Sequence, residues 1–441
     1  MPGILADIDR IADAIGRVNL IRQSGVVVSV RGMVIESLGP PTQVGEHLII
    51  ERNEAVGPPL TAEVVGFKDN KVIIMSFGGI EGITPGAKVW ALGHQISVPV
   101  GEELLGRVID GFGNPLDKKG PILTAEKRPL QAEPPHPLER KRITEPLYTG
   151  IKAIDCFITN GKGQRIGIFS GSGVGKSTLM GMIARSSKAD INVIGLIGER
   201  GREVRDFMEK DLGPEGLKRS VLVVVTSDKP PLSRVKGALT ATAIAEYFRD
   251  QGKDVILMID SLTRIGTAQR EVGLAAGEPP TTKGYTPSVF SFFPKLLERA
   301  GMDKRGSITG YYNVLVEADD LNDPIADTTR AILDGHVALS RDLAAKHHYP
   351  AIDILGSVSR LMYDIVDKDH FQAAARARRV LSDYAKSEDL INIGAYIKGS
   401  SPKIDFAIEK IDALNEFLTQ GIEENADFLR SLERLKSIVS G

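Results

Sequence analysis

The sequence predicts an α/β fold built on a mainly parallel sheet, preceded by a small β-barrel and followed by a helical domain. Three observations predict it. Between Ser97 and Ile365, continuous Val/Ile/Leu runs alternate with helical stretches, the pattern of strands buried on both faces. One of these runs enters a glycine-rich loop that ends in Lys-Ser and continues as a helix. The two flanks differ in texture, with short turn-punctuated strands before the α/β region and helical periodicity after it.

In chain order, residues 1–20 come first. Ile4, Leu5, Ile8, Ile11, Ala12, Ile15 and Val18 recur at helical spacing among charged residues, which predicts a short amphipathic helix. Two readings stand side by side: a helix packed on its own domain, or a docking helix for another protein. Residues 21–95 carry short β-rich runs split by Gly, Pro and Asn (Val26–Val30, His47–Ile50, Ala62–Gly66, Lys71–Met75), the signature of a small barrel. Residues 96–366 form the α/β region, with strands expected at Arg165–Phe169, Asn192–Ile197, Ser220–Val225 and Asp254–Ile259. A Pro-rich connection, Ala132–Leu138, lies inside it. Residues 367–441 read as helical.

Bulk composition excludes several classes. The chain has 55 Lys+Arg against 57 Asp+Glu, a balance that gives no sign of a nucleic-acid or membrane surface at the whole-chain level and leaves a local basic patch open. Its one cysteine, Cys156, permits no internal disulfide and sits in an apolar stretch, where it reads as a small buried hydrophobe. No basic, then apolar, leader opens the chain, and no uncharged run is long enough to span a bilayer. The expectation is a cytoplasmic protein that touches membranes only through partners.

The chemistry begins at Ser170-Gly171-Ser172-Gly173-Val174-Gly175-Lys176-Ser177-Thr178. Strand, glycine-rich loop, Lys-Ser and helix together make the context of a P-loop. Glycines let backbone N–H groups turn onto phosphate oxygens, and the helix N-terminus adds its positive end. Lys176 reaches the β- and γ-phosphates, and the Ser177 hydroxyl is a Mg²⁺ ligand. The strict pattern opens with glycine, where this chain has Ser170. The competing reading is a glycine-rich turn with an incidental lysine.

A P-loop needs a second acid near the metal at the end of an adjacent strand. The apolar run Asp254–Ile259 ends at Asp260, which reads as the Walker B carboxylate holding Mg²⁺ through its water shell. Alone, it would read as a turn or cap residue. Glu199 follows the run Asn192–Ile197, at the strand end where sites collect in open α/β sheets. A carboxylate there can orient the attacking water. Spacing does not decide between that role and an ion pair with Arg200 or Arg202.

Gly171–Ser177, Gly198-Glu199-Arg200-Gly201-Arg202 and Asp260-Ser261-Leu262-Thr263-Arg264 together resemble the catalytic subunits of rotary ATP synthases and their relatives in type III secretion. Segments Gly106–Pro115, Arg142–Lys152, Tyr349–Asp353 and Ser357–Arg360 agree, so the resemblance spans nearly the whole chain. Gly277–Phe290, in particular Thr281-Thr282-Lys283, resembles the flagellar export branch.

The resemblance implies a RecA-like P-loop NTPase core, with ATP and Mg²⁺ as ligands and ATP hydrolysis as the activity. It implies that Glu199 polarises water, with Arg200 beside it near the γ-phosphate. Arg360 is implied as an arginine finger completing the adjacent subunit's site; without the resemblance it reads as a loop ion pair. Tyr349 is implied to stack on adenine, against the alternative of a packed core tyrosine, and Tyr396 to form a second adenine wall. The implied assembly is a homo-hexamer at the cytoplasmic face of the inner membrane, at the flagellar base. Its implied partners are a central stalk protein, a peripheral regulator held by the N-terminal helix, export-gate membrane proteins and chaperone–substrate complexes, with no nucleic acid. Three other readings carry different expectations. A virulence secretion ATPase would differ only in clients. An ATP synthase β-like subunit would carry an acidic stalk-contact motif, which is not evident here. An RNA-translocating hexameric ATPase would carry a barrel rich in stacking aromatics, where this one has few beyond Phe67, Phe77 and Trp90.

Overall fold

The structure, a computed structural model, describes residues 23–316 and 323–440. The stretch read as an N-terminal docking helix lies outside the described residues. Two compact units emerge, divided near Ile96, with the short segment Ala275–Gly277 grouped with the first.

In the first unit, six antiparallel strands close a barrel in the order Ser24–Arg31, Val34–Leu38, Lys71–Ser76, Leu60–Lys68, Glu46–Ile50 and Lys88–Gln95. Alternation explains it: in Glu46–Ile50, Leu48 and Ile50 are wholly buried while His47 and Ile49 are partly exposed. Val27, Ile35, Leu48, Ile50, Ala62, Val64, Ile74 and Val89 fill the interior. Asp69 and Asn70, at φ 48° and 60°, make the two-residue turn joining Leu60–Lys68 to Lys71–Ser76. This left-handed pair matches the twist of a tight hairpin. Closure leaves the barrel no free edge. Of its three notable aromatics, Phe77 is buried, Trp90 donates its indole N–H to Glu51 at 3.0 Å, and Phe67 is exposed.

The second unit holds a nine-stranded sheet. Its path runs Ile352–Ser359, Gly335–Leu339, Arg165–Ser170, Ser307–Leu315, Asp254–Asp260, Ile191–Ile197, Ser220–Val225 and Val108–Ile109, with Gly301–Met302 beside Ser307–Leu315. All pairings along the path are parallel except the first, in which Ile352–Ser359 runs antiparallel at the sheet edge. Strands Ile191–Ile197 and Ser220–Val225 are buried at every residue, as their unbroken apolar runs require.

Three helices close the chain: Lys368–Asn392, Pro402–Leu418 and Phe428–Val439. The Asp367 and Asp427 carboxylates accept from the N–H groups of His370 and Arg430 and cap the first and third. Ala377, Val380, Leu414, Phe417 and Leu435 join Phe157 and the sheet residues in one continuous core. The helical region is thus seated on the α/β region and not separated from it by a linker.

A buried ion cluster braces the sheet's far face. Arg299, 2% exposed, forks onto Glu246 at 2.8 and 2.6 Å and donates to the Leu130 carbonyl at 2.7 Å. Removing one partner strands the other charge in a low dielectric, at a cost of about 3–5 kcal/mol. Glu246→Ala should therefore lower the thermal midpoint by several degrees in a far-UV circular dichroism melt. Replacing both partners with Met should recover much of the loss. An unchanged midpoint for the single variant would refute this account.

Candidate active site

The P-loop strand Arg165–Ser170 lies between Gly335–Leu339 and Ser307–Leu315, and its end is level with Leu315. The loop that follows turns at Gly173 and Gly175, at φ 79° and 95°. Gly175 precedes helix Lys176–Ser186 in a left-handed conformation that a side chain would strain. No side chain caps this helix start. Its first-turn N–H groups are therefore directed at whatever anion the loop cradles. Ser172 and Gly173 are exposed at the loop tip, Val174 is buried beneath it, and Gly171 lies against the Arg341 guanidinium. Ser170 is wholly buried, and its hydroxyl oxygen has no partner in the structure.

Parallel packing delivers the two acids. Asp260 ends its strand in register with Leu196, and Glu199 stands three residues beyond Leu196. Both carboxylates are buried, Asp260 at 3% exposure and Glu199 at 5%. The Lys176 ammonium reaches across the intervening strand to Asp260 Oδ1 at 2.5 Å and lies 3.6 Å from Glu199 Oε1. A fourth charge completes the cluster. Arg264 Nη2 donates to Glu199 Oε2 at 3.2 Å, and its Nε lies 3.1 Å from Oε1. Gly198 makes this approach possible, because a Cβ there would sit 2.9 Å from Arg264 Cδ.

Burial pushes the Glu199 carboxyl up to about 7, helped by its hydrogen bond with Glu203 and the charge of Asp260, and opposed by Lys176 and Arg264. Glu203 is held below the usual carboxylate range by that same hydrogen bond. The pair therefore keeps its proton on the buried member.

The remaining expected residues divide. Ser177 lies in the first turn of the P-loop helix, beside Lys176, whereas the Thr178 hydroxyl is hydrogen-bonded to Asp211. Arg200 is largely exposed and pairs at 3.5 Å with Glu203, so the arginine at Glu199 is Arg264 and not Arg200. Tyr349 is 39% exposed, and a Cβ built on Gly175 would lie 3.7 Å from its Cε1, so its ring flanks the P-loop. The Tyr349 carbonyl accepts from Gln420 N–H at 2.8 Å. The structure does not bring Tyr396 here. Its hydroxyl donates to Ser401 O at 3.0 Å, at the start of helix Pro402–Leu418, while Gln420 follows the other end. Seventeen helical residues separate the two ends by about 25 Å.

Arg360 lies at the opposite end of the sheet. Its N–H donates to the Asp334 carbonyl at 3.0 Å, and Asp334 in turn pairs with Arg165, at the start of the P-loop strand. The five residues from Arg165 to Ser170 span about 17 Å. An arginine side chain cannot cover that distance, so Arg360 cannot reach its own chain's P-loop.

The residues fit a nucleotide and a divalent cation. They supply an uncapped helix start, a lysine, a buried orphan hydroxyl at Ser170, and a buried acid at Asp260 in contact with that lysine. Arg264 carries no role in the sequence reading, although its place four residues after Asp260, in the first turn of helix Leu262–Ala276, is a usable local signal. Arg341 and Gln420 carried none, since their positions depend on distant packing.

The raised Glu199 carboxyl predicts a pH dependence in the nucleotide-free protein. Folded Glu199 titrates near 7 and unfolded Glu199 in the ordinary carboxylate range. Between these values the folded state binds the extra proton, so this group's stabilising contribution is full at low pH and is lost as pH rises through 7. Glu199→Gln mimics the protonated form. Its melting temperature relative to the unsubstituted protein should climb from pH 5 to pH 8, and a difference that stays flat over that range would contradict the assignment.

Comparison with known proteins agrees with this geometry. Residues 150–359 match the nucleotide-binding domain model of the ATP synthase alpha/beta family, and residues 21–93 match its beta-barrel domain model. Residues 366–437 match the T3SS EscN ATPase C-terminal domain. The flagellum-specific ATP synthase of Bacillus subtilis (strain 168) is 53% identical over 428 residues, covering 97% of each chain. The type 3 secretion system ATPase of Xanthomonas euvesicatoria is 50% identical, covering 95% of this chain and 94% of its own. The assembled ATPase EscN of the enteropathogenic E. coli type III secretion system superposes with a TM-score of 0.90 at 45% identity, over 94% of this chain and 100% of that one. EscN in complex with its central stalk EscO gives a TM-score of 0.87 at 44% identity, with the same coverage. A barrel, a P-loop sheet with two buried strand-end acids, and a matching C-terminal helical region, all in this order, place the chain in the ATP synthase alpha/beta family, among its flagellum-specific and type III secretion ATPases.

Proposed function

We propose that this chain is the ATPase of a flagellar type III protein-export apparatus, working as a ring with catalytic sites shared between neighbouring subunits. The observation that carries the shared-site reading is the placement of Arg360 at the end of the sheet opposite its own P-loop. A finger there serves only a neighbour. EscN, the structural relative, was seen assembled and with a central stalk, which supports a homo-hexamer and a stalk partner here. Export-gate membrane proteins, chaperone–substrate complexes and a regulator bound by residues 1–20 complete the proposed setting, peripheral to the inner membrane. Among the described residues no helix is long and apolar enough to cross a membrane. The export of virulence proteins would use the same chemistry, and the Xanthomonas relative keeps that reading second.

In the proposed reaction, Gly171–Gly175 wrap the phosphates with backbone N–H groups, and the Lys176 ammonium balances the β- and γ-oxygens. Ser177 and Asp260 would hold Mg²⁺, which when bound neutralises charge on those oxygens. Tyr349 stacks on the base. Glu199, oriented by Arg264, accepts a hydrogen bond from the attacking water and aligns it with the γ-phosphorus. The neighbour's Arg360 stabilises charge that develops on the transferred group, without any proton transfer.

Specific Mg-ATPase activity should rise with protein concentration as subunits assemble. Arg360→Ala should lose about 10³-fold or more in kcat, and Glu199→Gln about 10²-fold or more, with nucleotide binding retained in both. Activity independent of concentration, together with a fully active Arg360→Ala, would refute the shared site.

A further inference from the structure

Arg378, on helix Lys368–Asn392, is a half-buried cation with no place in the chemistry above. All of its acceptors are backbone carbonyls. Nη1 donates to Ile354 O at 2.5 Å and Ser357 O at 3.2 Å, and Nη2 to Phe157 O at 2.9 Å. Burial pushes its guanidinium below the ordinary arginine value, and Asp353 partly offsets this.

Those carbonyls lie at an irregular place. The edge strand Ile352–Ser359 pairs with Gly335–Leu339 through Ile352, Asp353, Val358 and Ser359, which leaves 354–357 outside the register. The Asp353 carboxylate accepts from the Leu355 and Gly356 N–H groups, and the Ser357 hydroxyl accepts from Ala338 N–H. Arg378 fixes the outward carbonyls of this unpaired stretch, and Arg360 follows three residues after Ser357. The third acceptor, Phe157 O, is an orphan carbonyl at the end of helix Lys152–Phe157, next to Cys156 O, which is bonded to His370. One guanidinium thus joins the helical region, the core helix end and the strand that carries Arg360.

We propose that Arg378 is a positioning residue for Arg360, so that the seat of one subunit's helical region sets the geometry of the neighbouring subunit's catalytic site. This rests on Arg360 acting in trans. A planar fork reaches these carbonyls from two separate nitrogens, whereas a lysine ammonium gathers its donors on one nitrogen and does not reproduce that geometry.

Complementation in mixed rings tests it. Arg378→Ala is purified and assayed alone, then mixed with Glu199→Gln, which keeps its finger but lacks the catalytic carboxylate. Arg378→Lys is run in parallel and carries the test should the alanine variant fail to fold, and Arg379→Ala, at an exposed site on the same helix, controls for loss of charge. Alone, the Arg378 variants should lose about 10-fold to 100-fold in kcat, the scale of a small misplacement, with KM for ATP unchanged. Mixed with Glu199→Gln, they should recover activity well above the sum of the two separate proteins, because the Glu199→Gln subunit supplies a correctly seated finger to an intact site. The reference mixture is Arg360→Ala with Glu199→Gln. If the reference recovers activity and the Arg378 mixture does not, Arg378 acts within its own subunit and this inference falls alone. If the reference does not recover, the trans finger falls and takes this inference with it. An Arg378→Ala protein of full activity would also overturn it.

Discussion

The site depends on holding one ammonium group between two buried carboxylates. Lys176 lies 2.5 Å from Asp260 and 3.6 Å from Glu199, and both acids are almost fully removed from water. In that setting each charge needs the others. Asp260 takes the close contact with Lys176. Glu199 is left with the weaker share of the lysine, and Arg264 supplies a second cation from the first turn of helix Leu262–Ala276. Even so, the desolvation of Glu199 exceeds its compensation, and its carboxyl rises to about 7. A group poised there changes charge readily when a further cation or anion enters, which suits a residue asked to orient water.

The sheet explains why this cluster assembles and why it is incomplete. Parallel strands end together, so the loops after Ser170, Ile197 and Asp260 converge on one rim without any contact between them in sequence. The antiparallel edge strand reverses this logic. It enters beside Leu339, near the P-loop rim, and leaves beside Gly335, at the opposite rim. Tyr349, just before the strand, and Arg360, just after it, are therefore held about a strand's length apart. The proposed base-stacking residue and the proposed finger thus belong to the same short segment yet lie at opposite rims of the sheet. With this topology, the two side chains cannot serve one and the same nucleotide site, which is the basis of the shared-site proposal.

That contrast also accounts for what was legible in the sequence. The barrel strands, the P-loop and Asp260 are written in local patterns: alternation, glycine spacing, and an apolar run ending in an acid. Glu199 was legible as a strand-end acid, but its partner was not, because Arg264 comes from another strand–helix junction and meets it only through the sheet register. Arg200, adjacent in sequence, pairs instead with Glu203. Tyr396 failed for a related reason. Its neighbours suggest a site tyrosine, but helix Pro402–Leu418 carries it a full helix length away from Tyr349. Thr178 follows Ser177 in the loop pattern, yet the helix turns it onto Asp211.

The helical region grips the core at two separate places. At the P-loop rim, the Gln420 side chain accepts from Lys152 N–H and donates to Gly150 O and Glu424 O, while its backbone N–H holds the Tyr349 carbonyl. The Gly150 turn is fixed in turn by the buried Asp155 carboxylate, which accepts from the N–H groups of Thr149 and Gly150. Midway along the edge strand, Arg378 holds the stretch that leads to Arg360. A shift of the helices against the sheet cannot leave both grips undisturbed. At the first it moves the aromatic beside the P-loop, and at the second the strand that leads to Arg360. Packed interfaces of this kind switch between discrete arrangements and do not deform smoothly. On the proposed trans role of Arg360, such a switch in one subunit's helices would reach two sites at once.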